Sequence, residues 1–265
     1  MGYNTKIDWC DTTWNPVTGC YHGCEYCYAR GIANRFGGYS RKQDGTHTNF
    51  ISDDGTYELN EPLIKIGKDG VHRQAAYPLK FKPTLHRYRL DQPQKWSEPR
   101  TIFVCSMADL FGQWVPISWI QEVFKACEAA PQHRYLFLTK NPQRYHSLAF
   151  NGELPLGDNY WYGSTAETDE QLVWFANSYN TFTSIEPIQE RFDCSDVPKD
   201  LTNWIIVGAE TGNRAGKVVP KREWIDELVD YGRRANVPVF MKDSLRDLMG
   251  DDFRQEFPWE ASGDD

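Results

Sequence analysis

Three cysteines fall within eight residues in the run Thr18-Gly19-Cys20-Tyr21-His22-Gly23-Cys24-Glu25-Tyr26-Cys27-Tyr28, spaced C-x-x-x-C-x-x-C. Thiols so spaced cannot all face one side of a regular helix, so the run reads as a loop wrapped around an object that the sulfurs share. Gly19 and Gly23 permit the wrapping, because glycine reaches backbone conformations closed to other residues. Zinc and iron-sulfur clusters are both held by cysteines at such gaps. A zinc reading would recruit Cys10 or His22 as a fourth ligand; a four-iron cubane held by three thiolates would keep one iron open to a small molecule.

The chain around this loop has 265 residues, 40% of them hydrophobic and 25% charged, which suits one large soluble globular domain. No apolar run is long enough to span a bilayer. The start, Met1-Gly2-Tyr3-Asn4-Thr5-Lys6, has neither a signal-type apolar core nor a myristoylation pattern, and the expected location is the cytoplasm. Seven cysteines, an odd number, favour reduced thiols over a disulfide framework. The net charge of −8 opposes bulk electrostatic wrapping of nucleic acid without excluding nucleic acid as a substrate. Lys80, Lys82, Arg87, Arg89, Lys95 and Arg100 concentrate positive charge in one segment, either a solvated surface or a hold on a DNA backbone. The tail 251–265 is acidic and reads as solvated surface. Ten Trp and fourteen Tyr could stack on bases, or simply fill core and rim.

The elements that must position the loop follow in order. Ile7 to Val17 reads as a short extended segment stopped at Asn15-Pro16. Tyr28 to Phe36 has helical spacing and ends at Gly37-Gly38. Residues 37–77 have little period and read as an insertion or lid. Pro78 to Pro83 alternates like a strand and is followed by a helical turn through Leu85, Tyr88 and Leu90. Six buried strands are then expected: Thr101–Cys105, Tyr135–Leu138, Trp161–Gly163, Thr181–Ile185, Trp204–Val207 and Pro238–Met241, with amphipathic helices around Trp119–Cys127 and Trp224–Tyr231. This alternation calls for an α/β fold with a parallel sheet, as a barrel or an open wound sheet, with its chemistry at the carboxyl ends of the strands. Residues 1–250 are expected to form one domain.

Each expected strand is followed by small or charged polar residues: Ser106-Met107-Ala108-Asp109, Thr139-Lys140, Ser164-Thr165-Ala166-Glu167, Glu186-Pro187, Gly208-Ala209-Glu210 and Lys242-Asp243. The repetition reads as one ring of functional side chains. Singly, any of them could be a helix cap or a solvent-facing residue.

The cysteine run, with an aromatic before its last member, resembles the signature of the radical S-adenosylmethionine (SAM) superfamily. The strand-end runs Ser106 to Asp109 and Thr139-Lys140 resemble those of spore photoproduct lyase-like proteins within it. A likeness over almost the whole chain, in Thr13-Trp14-Asn15-Pro16-Val17-Thr18-Gly19-Cys20, Ser106 to Phe111, Leu138 to Pro142, Ser184 to Pro187 and Val207 to Glu210, is to phage-encoded three-Cys-motif proteins. The chain departs from that group at Cys10, where a non-cysteine is usual, and in the shorter gap between its first two motif cysteines.

The resemblance implies a partial (β/α) barrel of the radical SAM type with an inserted loop region after the first helix. It implies a 4Fe-4S cluster on Cys20, Cys24 and Cys27, with SAM as second cofactor and Tyr26 beside the adenine. Ser106 and Asp109 would hold the SAM amino group and Lys140 its carboxylate, with Ser164 and Glu167 as further cofactor contacts. Gly208 would allow close approach of the base, and Glu210 would bind ribose or substrate. Glu186 and Lys242 are the catalytic candidates on the substrate side, and Trp161, Tyr162 and Phe182 could shield a radical or pack the core. An external one-electron donor such as flavodoxin or ferredoxin is implied, as is a phage-infected bacterial host. The implied substrate is a thymine-like base in DNA gripped by Lys80, Lys82, Arg87 and Arg89; the alternatives are a peptide or small molecule, or a zinc-stabilised nucleic-acid-binding module without catalysis.

Overall fold

The computed structural model describes residues 5–40, 50–51, 55–168, 171 and 178–260. Met1 to Asn4, part of the expected insertion and residues 261–265 of the tail lie outside the described residues. The chain divides into two compact units, Thr12–Tyr135, and Met1–Asp11 with Leu136–Asp265.

In the unit Thr12–Tyr135, β1 (Thr12–Trp14) is followed by β2 (Val17–Thr18), α1 (Tyr28–Phe36), β3 (Phe50–Ile51), β4 (Tyr57–Leu59), β5 (Ile64–Ile66), β6 (His72–Gln74), β7 (Thr84–His86), β8 (Thr101–Val104) and α2 (Ile117–Glu128). β1 lies parallel to β8, with Thr12 opposite Ile102 and Trp14 opposite Val104. All four residues of β8 are buried, as expected of a parallel strand covered on both faces. α2 turns Trp119, Ile120, Val123, Phe124 and Cys127 inward, the face its spacing predicts.

The described residues after α1 hold more regular structure than the composition there suggests. β2, β7, β4 and β3 form a second sheet, and β5 pairs antiparallel with β6 as a hairpin. The hairpin signal was present as Ile64-Lys65-Ile66 alternation and an Asp69-Gly70 turn, with Gly70 at φ 73°. The strand expected at Pro78–Pro83 is instead a set of turns, in which Lys80 N–H donates to Tyr77 O and Lys82 N–H to Leu79 O. Prolines at both ends remove the ladder donors a strand would need. The strand forms one step later, at β7, whose three residues are all buried; only a short 3-10 turn, Arg87–Arg89, remains of the expected helical turn.

The other unit continues β9 (Arg134–Thr139), which begins at the boundary, with α3 (Gln143–Phe150), β10 (Tyr160–Thr165), β11 (Asn180–Ile185), β12 (Ile205–Val207), α4 (Arg222–Ala235), β13 (Val239–Met241) and α5 (Arg246–Met249). β10 to β13 pair in parallel succession, with Thr183 opposite Ile205 and Val207 opposite Met241. All six expected strands are present, within two residues of their expected ends. Seven strands share one sheet in the order β1-β8-β9-β10-β11-β12-β13, an α/β fold of the partial-barrel class.

A cluster of aromatic residues around Trp204 forms core in this unit. Trp204, fully buried, meets Trp9, Trp161, Phe182 and Phe240, and from the C-terminal segment Phe257 at 5.8 Å and Trp259 at 5.2 Å between ring centroids. Residues 251–260 are therefore not a solvated tail. Glu256 O accepts from Trp204 Nε1 at 2.9 Å, and Phe240 and Gln255 form an antiparallel bridge. The apolar Phe257 and Trp259 outweigh the acidic composition around them. No helix among the described residues is long and apolar enough to cross a membrane.

Candidate metal-binding loop and strand-end ion pairs

The cysteine loop begins where the backbone is pinned. Gly19 N–H donates to Met107 O at 2.9 Å, and a Cβ on Gly19 would fall 2.2 Å from Lys82 O, at a φ of 91°. Only glycine fits there. Cys20 N–H donates to Phe81 O, and the loop ends with Cys27 as N-cap of α1, its Sγ accepting from Arg30 N–H at 3.4 Å. All seven cysteines are free thiols, and the three of the loop are half-buried. Burial pushes the Cys20 thiol up to about 12; the His22 amide hydrogen bond to its sulfur opposes that, and the charges of Asp109, Cys27 and Cys24 add to it.

The three thiols thus lie near enough to feel one another's charge, yet among the described residues no three His, Cys, Asp or Glu side chains are grouped to hold a metal ion. A single zinc ion needs its donors gathered on one point. A multi-iron cluster takes each thiolate on a different iron, so it asks for three separate thiol donors, which Cys20, Cys24 and Cys27 are in kind. Metal binding would have to displace the proton of Cys20, whose pKa burial raises.

Beside the loop lies the end of β8. Asn15 Oδ1 accepts from Met107 N–H at 2.9 Å and from Ser106 Oγ at 3.3 Å, and the Tyr28 hydroxyl donates to Ser106 O at 2.8 Å. Asp109, 6% exposed, accepts from His22 Nε2 at 2.7 Å with one oxygen and from Phe111 N–H at 3.0 Å with the other. His22 packs edge-on against Trp114, ring centroids 4.9 Å apart. The structure thus brings Ser106 and Asp109 to the cysteine loop, with Tyr26 half-buried on it. Asn15 and Trp114, which the residue patterns did not single out, join them. Asn15 stood inside the quoted Trp14-Asn15-Pro16 run; Trp114 carried no signal.

In the other unit the strand ends carry matched charges. Lys140, after β9, meets Glu167, after β10, at 2.5 Å. Lys242, after β13, is bonded to Glu186, after β11, and Glu210, after β12, to Arg214. Ser164 is buried within β10. Gly208 has a local reason that the sequence did not reveal: a Cβ there would lie 2.9 Å from Lys242 Cδ and 3.2 Å from its Cβ and Cγ. The lysine stem crosses the glycine to reach Glu186 from two strands away. Trp161, Tyr162 and Phe182 are 7%, 2% and 1% exposed, packed core rather than lining.

The basic segment is largely engaged. Arg87 is held by Glu122 and Glu58, the former pair first in raising its already high pKa. Arg89 donates to Asn15 O and Ala76 O, Lys82 to the Tyr57 hydroxyl, and Lys95 pairs with Asp91. Arg100 stacks over Trp96.

Among solved structures, the chain is similar to spore photoproduct lyase complexed with dinucleoside spore photoproduct, at 11% identity and a TM-score of 0.52 over 91% of this chain and 79% of that one. A cysteine-to-serine mutant of spore photoproduct lyase matches over the same shares at 11% identity and a TM-score of 0.48. At such identity the first likeness speaks to the fold, and it agrees with the parallel strand series described above. A search of curated proteins returned no match. The family model described as "Protein of unknown function (DUF5131)" matches residues 4–246, nearly the whole chain, and the chain belongs to that family.

Proposed function

We propose that this protein is a radical SAM enzyme. The observation that carries the reading is the glycine-shaped loop with Cys20, Cys24 and Cys27, set in a fold similar to that of a lyase whose solved complex holds a dinucleoside photoproduct. When bound, a 4Fe-4S cluster and SAM would supply reductive cleavage of the sulfonium to a 5′-deoxyadenosyl radical, fed by an external one-electron donor such as flavodoxin or ferredoxin.

The chain's own residues would bind, orient and exclude water. Cys20, Cys24 and Cys27 would hold the cluster and Tyr26 would lie near the adenine. Lys140 and Glu167, paired with each other in the free protein, suit a zwitterion: its carboxylate would take the ammonium of Lys140, and its amino group the carboxylate of Glu167. Ser106, Ser164, Gly208 and Glu210 are the further cofactor-side candidates. Glu186 and Lys242 would face substrate, able to hold or pass a proton between carboxylate and amine.

For substrate we favour a nucleobase, thymine or a modified thymine in phage DNA, flipped out or single-stranded, with lysis or rearrangement as the reaction. A peptide or small-molecule substrate is the second reading, favoured by one observation: Arg87 is already neutralised by two carboxylates and offers a phosphate little. Reversing the charges of Lys80, Lys82, Arg87 and Arg89 together should abolish DNA binding at low salt; unchanged binding sinks the DNA reading.

Anaerobic purification tests the enzyme reading. A brown protein with about four irons per chain that cleaves SAM on reduction is expected. A colourless zinc protein would replace the proposal with a non-catalytic binding module.

A further inference from the structure

The loop that presents the three thiols carries its own fastening, separate from any metal. Between Cys20 and Cys24 stand Tyr21, His22 and Gly23. His22 Nε2–H donates to Asp109 Oδ2 at 2.7 Å, since a carboxylate can only accept. Asp109 is fixed in turn by the Phe111 amide on its other oxygen, so the carboxylate offers a set position rather than a swinging arm. Behind the imidazole stands Trp114, in edge contact with both His22 at 4.9 Å and Tyr21 at 5.4 Å. Trp114 can lie there because residue 112 is glycine: a Cβ on Gly112 would fall 2.4 Å from the Trp114 ring.

These contacts form a closed chain from the segment after β8, through Asp109, His22 and Trp114, back to Gly112 in the same segment. They involve no thiol. A buried carboxylate with both oxygens engaged is expensive to pull away, because breaking either bond leaves a charge without a partner in a dry site.

We propose that His22, Asp109 and Trp114 latch the cysteine loop into shape before metal enters, and that Asp109 is a positioning residue of the loop rather than a ligand of the SAM amino group. The identity of what the loop receives rests on the radical SAM reading; the latch itself does not. A loop held this way presents its thiols with the ordering cost already met by the fold, so metal capture need not also organise the backbone.

The test uses the full chain free of metal, read by amide hydrogen exchange over residues 19–27. His22→Ala should raise exchange there about tenfold or more, as expected for losing one charge-assisted hydrogen bond. Exchange in β13 should stay unchanged as the control for folding. His22→Gln, which can still donate to Asp109, should restore most of the protection. Trp114→Leu, which removes the backing and keeps the hydrogen bond, should loosen the loop by a smaller factor. In the iron-reconstituted protein, a ferrous chelator should strip His22→Ala faster by a similar factor, and the electron paramagnetic resonance signal of the reduced protein should broaden.

Loop exchange unchanged by His22→Ala, or equal damage from His22→Gln and His22→Ala, overturns the latch. So does an Asp109→Asn protein that loses SAM binding while its loop exchanges like wild type, because Asp109 would then be a ligand. Failure to take up iron at all would instead count against the radical SAM reading and leave the metal-free exchange result standing.

Discussion

In the unit Thr12–Tyr135 the side chains around the cysteine loop are held by backbone groups and by one buried carboxylate facing a histidine, whereas in the other unit the charges at the strand ends are matched, cation to carboxylate. The two solutions suit different guests. Under the proposed reading, the loop would receive a metal: burial raises the pKa of the Cys20 thiol, and the fixed contacts around it go to shape. Under the same reading, the strand ends would receive a polar organic ligand, and each partner of a pair such as Lys140–Glu167 would stand in for the ligand group it meets. The Lys140–Glu167 pair, its side chains 23% and 38% exposed, is worth little to stability by itself, which makes it exchangeable.

The widest gap between the regions should appear in ligand binding. Lys140→Met removes the proposed carboxylate partner and leaves Glu167 uncompensated, so SAM affinity should fall about ten- to hundredfold by isothermal titration. Lys242→Met should leave SAM affinity within about twofold and lower turnover. Equal losses from both would erase the distinction drawn between cofactor-side and substrate-side pairs.

Next in size is the glycine under the lysine stem. Gly208→Ala should destabilise by about 1–3 kcal/mol in denaturant titration, because the new methyl meets Lys242 Cδ at 2.9 Å. Combining it with Lys242→Ala, which removes Cγ and Cδ, should recover much of that loss. Additive effects would mean that Gly208 is there for another neighbour, the adenine included.

The smallest effect sharpens the contrast from the other side, through pH. His86 is fully buried, its Nε2 beside the Thr18 hydroxyl and its Nδ1 beside the Tyr88 hydroxyl; burial, then the Arg89 charge, holds its pKa well below the ordinary 6.5. The unfolded chain therefore takes up this proton near pH 6.5 while the folded chain stays neutral. Stability is intact above that pH and falls with acidification, by about 1.4 kcal/mol for each unit below 6.5 until the folded pKa is reached. A His86→Gln protein should lack this component in pH-dependent unfolding. An identical acid slope would place the titrating group elsewhere.

How much of this was legible depended on whether one residue's neighbours lay close in sequence. The runs at β8 to β13 announced themselves because parallel strands buried on both faces are continuously apolar, and α1 because Gly37-Gly38 stops it. β7 did not, since Thr84-Leu85-His86 pairs two polar residues that are buried only through tertiary partners. The site divides the same way. The thiol spacing and the polar residue after each strand could be read directly. That Asp109 faces His22, 87 positions away, and that Gly208 makes room for Lys242 rather than standing open, are relations between distant segments that no local pattern carries.

The docked C-terminal segment has a consequence for how the protein behaves among copies of itself. β13 is the last strand in the sheet order, and a last strand offers unpaired amides and carbonyls to any passing chain. Residues 254–256 take up that valence: Met241 N–H donates to Arg254 O, Glu256 N–H to Val239 O, and the Glu256 carboxylate accepts from Val239 N–H. The segment therefore acts as a stopper against strand addition at β13.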